Sequence, residues 1–398
     1  MTAALSLQPL ASTPASARLR VCVSLPFARQ LVLGGNEPFG GAELRGLTFA
    51  SGLAADPTLE VHVVVNGSET TPVVRSDRIT VHFRRNVSFY EGHMDHPRHS
   101  IWGAVDADVY VGFGANEATA ELARFCLAHG SAFVLSIASD AAFDPLVGEQ
   151  SVIRDAYGVA GHYHWYAMHH AHAVFVQTER QRDLFRSMHG REAVLIRNPA
   201  PSAVRSAPRR APQFGGRILW IGRTDPNKRH DAALRLAEAL PHRRMIMVCN
   251  GIDRSSITDI ETARPNLSLA EKVALPDVDG LFRFSDVLVN TSVVEGSPNA
   301  FLQAGMHGIP IVSMAVDPDG MLATHGCGRV ADGTLAGLAR AVESLLTEPG
   351  AYASAASASV RWVADRHDPA GRIAELRALV HHTATTHGRR RALRSPLT

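Results

Sequence analysis

The chain has 398 residues, 45% of them hydrophobic and 20% charged, with a formal net charge of +2. That length is a prior for two or three domains with substantial cores, and the composition excludes a disordered or fibrous chain. The near-neutral balance lacks a basic face interleaved with aromatics, so it gives no case for a nucleic-acid partner, and no apolar run approaches the ~20 residues that cross a bilayer.

The first 17 residues are rich in Ala, Ser and Pro and lack the positive start of a signal peptide. They are expected to be a disordered tail on a cytoplasmic protein. Ordered sequence begins at Arg18, with a first strand in LRVCVSL. Gly34-Gly35 and Gly40-Gly41-Ala42-Glu43 follow as a loop, and a helix is predicted from about Glu43 to Leu53. The next segment, EVHVVV, is continuously apolar, as suits a strand buried in a parallel sheet. The opening therefore reads as a βαβ unit. The strand signal repeats at DVYVGF near Asp108, AFVLSIAS near Phe133 and AVFVQT near Ala173. Cys22, Cys126, Cys249 and Cys327 form no CxxC pair and read as small buried hydrophobes of a reducing compartment.

Between Asn198 and Gly216 the sequence is NPAPSAVRSAPRRAPQFGG, without periodicity, which marks a linker. GRILWIGRT then starts a second βα series, with strands near Met245, Asp286 and Ile309 and helices at about 230–240, 277–284, 298–307 and 334–347. The predicted organisation is a tail at 1–17, a first domain at 18–200, a linker at 201–215 and a second domain at 216–365. A C-terminal helix at 366–385 is expected to pack back towards the first domain, ahead of a basic tail at 386–398. The expected class is α/β, two doubly wound parallel-sheet, Rossmann-like domains facing across a cleft, with ligand outside the carboxyl ends of the strands. The arginines from Arg389 onwards either touch an anionic membrane surface or solvate the terminus.

Two stretches of the second half carry chemistry. In EGSPNAFLQAGMHG, Glu295 precedes Gly296, Ser297, Pro298, Asn299 and Ala300. Ser297 is expected to be an N-cap and Pro298 the first helical residue, so the helix start presents unpaired N–H donors to an anion. Gln303 lies one turn in from Asn299 on the same face. An anion at a helix start, with a carboxylate beside it to take hydroxyls, suits a nucleotide-diphosphate sugar; an ordinary capped helix is the alternative. In GRTDPNKRH, Arg223 offers a planar fork for phosphate and Lys228 a flexible point charge, five residues apart across a turn containing Pro226. Both can reach one diphosphate; solvated charges on a turn are the alternative there.

These residues resemble the donor-binding signature of the retaining family-four glycosyltransferases, in which a Glu, seven residues and a second Glu flank such a turn. Glu295 matches the first Glu, and Gln303 stands at the second. The resemblance implies the GT-B architecture, with an acceptor-side domain followed by a nucleotide-sugar domain. It implies that Glu295 lies beside the transferred sugar and that Arg223 and Lys228 neutralise the leaving diphosphate. The donor site would be completed by Gly41, Gly222, Gly296, Ser297, Pro298, Asn299, Ala300 and Gln303. Gln303 can accept from a ribose hydroxyl through its amide oxygen but carries no charge. Many members carry a His at the end of the strand that corresponds to AFVLSIASDAAFD. Here Ser139 and Asp140 stand at that point, as candidates near the anomeric centre. The family implies transfer without a protein nucleophile, a metal or a cofactor other than the donor, to a glycan, lipid-linked or small-molecule acceptor.

Histidines cluster at His162, His164, His169, His170 and His172, and at His93, His96 and His99. They make no HExxH or Cys/His ligand pattern, so packing or acceptor contacts are expected of them rather than a metal. Two competing readings share the architecture. A nucleotide-sugar epimerase needs acid/base groups over the sugar's second carbon, for which no motif is present. A catalytically silent nucleotide-sugar binder is suggested by Gln303 and Ser139. A dinucleotide dehydrogenase lacks its GxGxxG between the first strand and helix.

Overall fold

The computed structural model describes residues 18–34, 40–75, 77–84, 101–201 and 208–387. The tails at 1–17 and from 388, His93, His96, His99 and linker residues 202–207 lie outside them. The first sheet contains β1 (Leu19–Ser24), β2 (Leu59–Asn66), β3 (Val73–Val74), β4 (Thr80–Arg84), β5 (Val109–Phe113), β6 (Ala132–Ser136), β7 (Ala173–Val176) and β8 (Val194–Leu195). Their order is β3-β4-β2-β1-β5-β6-β7-β8. All neighbours are parallel except the short edge pair β3–β4. The second sheet contains β9 (Ile218–Arg223), β10 (Met245–Asn250), β11 (Leu267–Ala270), β12 (Val287–Asn290), β13 (Ile311–Ser313) and β14 (Gly328–Val330). It is parallel throughout, in the order β11-β10-β9-β12-β13-β14.

The continuous apolar runs are explained by burial on both faces of each sheet. Along β1, Val21 and Val23 pack with Phe49 and Leu53 of helix Gly41–Ala54, while Cys22 points the other way into a core with Tyr110 and Phe133. In β9, Trp220 packs among Met247, Leu236 and Tyr352, and its neighbour Leu219 packs among Leu288, Phe301 and Trp362. All four cysteines are buried.

Helix Pro349–Arg366, which the sequence reading did not single out, covers the second sheet through Tyr352, Ala356, Trp362 and Val363. The chain turns at His367, and helix Pro369–His387 inserts Leu376, Leu379 and Val380 into the first domain's core. Among the described residues no helix is long and apolar enough to cross a membrane.

Each sheet reverses its winding once beside its first strand, between β1 and β5 and between β9 and β12. Doubly wound sheets open a ligand crevice at such points, outside the carboxyl ends of the strands. In the second domain β9 ends on Arg223, and the chain leaving β12 reaches Glu295 five residues later.

Candidate functional site

Asn227 organises the second domain's half of the site. It lies in the single turn Pro226–Lys228 that follows β9, and it is buried. Its Oδ1 accepts from Val294 N at 2.9 Å, its Nδ2 donates to Val294 O at 2.8 Å, and its own carbonyl accepts from Val293 N at 2.9 Å. The turn after β9 is thereby clipped to the segment after β12. Thr291 Oγ1 donates to Lys228 O at 2.6 Å and accepts from Trp220 Nε1 at 2.8 Å, which fixes the turn from below. The outcome is an ion pair between Lys228 Nζ and the Glu295 carboxylate, both mostly shielded from solvent.

Arg223 stands at the end of β9, more exposed, with Nε donating to Asp225 Oδ2 at 2.9 Å. Gly222 makes room for the Trp220 ring, which would lie 2.5 Å from any Cβ there. Lys228 and Lys272 are the only lysines in a sequence with 40 basic residues. The turn thus carries one of two compact ammonium charges in a chain whose other permanent side-chain cations are arginines.

The helix start differs from the sequence expectation. Helix Asn299–Met306 begins one residue later than predicted, with Pro298 as its N-cap in an extended conformation (φ −63°, ψ 126°) and no side-chain cap. Ser297 is not the cap because its backbone is held from the other domain. Its N–H donates to Gln177 Oε1 at 3.1 Å, and its carbonyl accepts from Asn198 Nδ2 at 2.9 Å. With Ser297's donor committed and Pro298 lacking one, the first-turn N–H groups of Asn299 and Ala300 are the ones left to meet an anion. Gln303 is half-buried one turn further along.

The first domain closes directly onto this segment. Asn299 Nδ2 donates to Gly41 O at 3.0 Å, and Asn299 Oδ1 accepts from Asn198 Nδ2 at 3.2 Å. Asp140 N donates to Glu295 O at 3.4 Å. Gly296 is the point of closest approach: a Cβ there would lie 2.8 Å from Ala138 O and 2.6 Å from Gln181 Nε2. Only glycine lets the two backbones meet.

Behind the contact, Gln177 Nε2 donates to Ile137 O at 2.8 Å, as does the buried Arg45 Nη1 at 3.0 Å. Arg45 is enclosed by the rings of Phe49, Phe113 and Phe175 at 5.3–5.9 Å, and burial lowers its pKa to about 9. The guanidinium therefore tethers the end of β6 from within the core.

Of the two candidates after β6, Ser139 caps the short turn Asp140–Phe143 by accepting from Ala141 N at 3.2 Å. Asp140 brings its backbone to Glu295, but its carboxylate is taken by its own domain. Gln181 Nε2 donates to it at 3.0 Å and Arg180 Nε at 3.2 Å. Burial raises its pKa against the pull of those two donors.

Several site residues carried no clear signal in the sequence. Asn198, Asn227, Gln177 and Gln181 are neutral amides whose role appears only when two separate stretches meet. Glu43 folds back on the Gly40 N–H at the start of its helix and lies within the field of Arg223; burial raises its pKa. Tyr157, from the loop before helix Gly161–His170, reaches Asn227 and Val294.

The histidines of that helix pack locally. His164 pairs with Asp155 at 3.1 Å, and His169 stacks on Trp165 with centroids 4.4 Å apart. Among the described residues, no three His, Cys, Asp or Glu side chains are grouped to hold a metal ion.

Residues 215–348 match the family model described as Glycosyl transferases group 1. No curated protein matches the chain. Among solved structures, the fold is similar to sucrose-phosphate synthase from Thermosynechococcus elongatus, at 12% identity and a TM-score of 0.70, covering 92% of this chain and 99% of that one. It is similar to WaaG, a glycosyltransferase involved in lipopolysaccharide biosynthesis, at 17% identity and a TM-score of 0.60, covering 90% and 99%. It is also similar to S. aureus MnaA in a co-structure with UDP, at 8% identity and a TM-score of 0.64, covering 92% and 97%.

Proposed function

We propose that this protein, whose second domain is one of the glycosyl transferases of group 1 within a GT-B fold, moves a sugar from a nucleotide-diphosphate donor to an acceptor hydroxyl with retention at the anomeric carbon. The observation that carries the reading is the contact of Lys228 with Glu295, 67 residues apart in sequence, where the second sheet reverses its winding. Each is the other's partner in the structure. A donor separates their roles: Lys228 and Arg223 turn to the diphosphate, and Glu295 takes the sugar hydroxyls.

The diphosphate leaves carrying the charge that develops in the transition state, so cations and helix-start N–H groups aimed at it lower the barrier. The bond from the anomeric carbon to the phosphate oxygen breaks while the acceptor oxygen bonds to the same face. The acceptor's proton passes to the departing phosphate oxygen, so no separate protein base is needed. The same arrangement meets the leaving charge with protein cations, without a metal or a further cofactor. Gln303 accepts from the ribose, and the acceptor, a glycan, lipid-linked or small-molecule hydroxyl, approaches from the first domain. The UDP held by the similar MnaA structure makes uridine donors the first to try.

Gln303, uncharged where the resembling family has Glu, favours a second reading as a silent nucleotide-sugar binder. Incubation with a panel of UDP-, GDP- and ADP-sugars and candidate acceptors, followed by NMR of the product, separates the two. Transfer with the donor's anomeric configuration kept supports the enzyme. Thermal stabilisation by a nucleotide, about 2.7 kcal/mol at 100 times its Kd, with no turnover on any pair supports the silent binder.

A further inference from the structure

Tyr157 belongs to the first domain, yet its hydroxyl sits against the second domain's Glu295 segment. It accepts from Asn227 Nδ2 at 2.9 Å and donates to Val294 O at 3.2 Å, with the Ser139 side chain as a further partner. Val294 O is the carbonyl of the peptide bond that leads into Glu295. It therefore receives one hydrogen bond from its own domain, through Asn227, and one from the opposite domain, through Tyr157.

The phenol is delivered by a braced loop. Asp155 Oδ1 accepts from Tyr157 N at 2.9 Å and from Val159 N at 2.8 Å, while Asp155 Oδ2 faces the buried His164 at 3.1 Å. Gly158 turns the chain with φ +82°. Burial and the nearby Glu295 charge both disfavour ionisation of the phenol, so it stays a donor.

From this geometry we infer that Tyr157 is a positioning residue for Glu295: its hydroxyl fixes the Val294–Glu295 peptide only when the two domains are closed, and so couples closure to the alignment of the Lys228–Glu295 pair. The inference rests on the glycosyl-transfer reading above and adds to it a residue that acts without touching the donor. Without the phenol the Val294–Glu295 peptide keeps its bonds to Asn227 but loses the one from the opposite domain, and a nucleotide gripped by the second domain's cations still binds. The carboxylate does not hold the sugar hydroxyls in line at the moment of transfer, and small misalignments of this kind cost turnover rather than affinity.

The test compares full-length parent, Tyr157→Phe, Glu295→Gln and the double variant. Phe keeps the ring and removes only the hydroxyl. The expected result is a fall in kcat of about tenfold for Tyr157→Phe, with nucleotide Kd and donor KM within about threefold of the parent. In the Glu295→Gln background the same substitution should change kcat by less than about twofold, because a residue acting through Glu295 has nothing left to position. Unchanged kcat in Tyr157→Phe overturns the inference, as does an equal loss in both backgrounds, or a loss of kcat accompanied by a matching loss of thermal stability. A parent without transfer on any donor overturns the functional reading itself and this inference with it; an active parent with an unaffected variant overturns this inference alone.

Discussion

Besides the apolar docking of helix Pro369–His387, two polar seams join the domains, and they are built from opposite chemistry. At the rear, Arg197 of the first domain and Asp319 of the second form an ion pair with both side chains at least 93% buried. Asp319 also accepts from Glu179 N at 2.9 Å, and it does so from a left-handed conformation (φ +53°). At the front, the contacts along Val294–Asn299 are neutral and mostly directed at backbone: Tyr157 to Val294, Asp140 to Glu295, Gln177 and Asn198 to Ser297, and Asn299 to Gly41. Breaking a buried ion pair by removing one partner costs ~3–5 kcal/mol, whereas a neutral hydrogen bond that water can replace contributes ~0.5–1.5 kcal/mol net. The rear is therefore suited to hold while the front opens for a donor, and the functional residues lie along the front.

The largest expected effect breaks the rear. Asp319→Ala leaves the buried Arg197 with only the more exposed Glu179 carboxylate, at 3.4 Å, and should lower unfolding stability by up to about 3–5 kcal/mol, read by chemical denaturation of the full chain. A variant as stable as the parent would mean that the rear ion pair adds nothing to the apolar docking of helix Pro369–His387. Next comes the front. Arg223→Ala should leave stability within about 0.5 kcal/mol of the parent, as for a surface substitution, whereas Lys228→Ala also strips the largely shielded Glu295 of its partner and should cost more. Each should cut kcat/KM by about 10- to 100-fold through loss of a charge-assisted contact. Wild-type turnover in both would remove these cations from the diphosphate.

The smallest effect is a pH dependence centred on His367, which sits between the two seams, bonded to Asn198 and beside Arg197. His367 Nδ1 donates to Asn198 O at 2.7 Å. Burial, then the charges of Arg197, Arg372 and Arg366, hold its pKa down to about 3, against the pull of that carbonyl. The unfolded chain binds this proton near pH 6.5 and the folded one does not, so stability is complete above about 6.5 and is lost as pH falls towards 3. His367→Asn keeps a donor near the Nδ1 position and does not titrate. Its stability should fall less between pH 7 and 5 than the parent's, measured by calorimetry; equal slopes would assign the acid sensitivity to other groups.

The sequence carried the two sheets because buried parallel strands write continuous apolar runs, and it singled out Arg223 at a strand end, Lys228 in the turn that follows and Glu295 ahead of a helix start because charge at such points leaves a local pattern. The one-residue error at the helix start has a physical source. Ser297 has the side chain of an N-cap, but Gln177 and Asn198, about 100 residues away, hold its backbone in place and shift the cap to Pro298. The amides and Tyr157 were not legible for the same reason: a neutral side chain that bonds a distant backbone group leaves no periodicity, charge pattern or spacing behind. Helix Pro349–Arg366 was hidden by its composition, in which small residues such as Ala355, Ala356 and Ser359 replace the usual apolar stripe.

The measurement that tests the central claim most directly is single-turnover transfer by Glu295→Gln, set beside its nucleotide affinity. Glutamine keeps the size and most of the hydrogen-bonding capacity of Glu295 and deletes the charge that should strengthen its hold as the anomeric carbon becomes positive. The account predicts transfer reduced by about 100-fold, the scale for removing one electrostatic stabiliser, with nucleotide affinity within a few-fold of the parent. Transfer at the parent rate would contradict it, and would leave the pair of Lys228 and Glu295 as a structural clasp on a well-formed helix start.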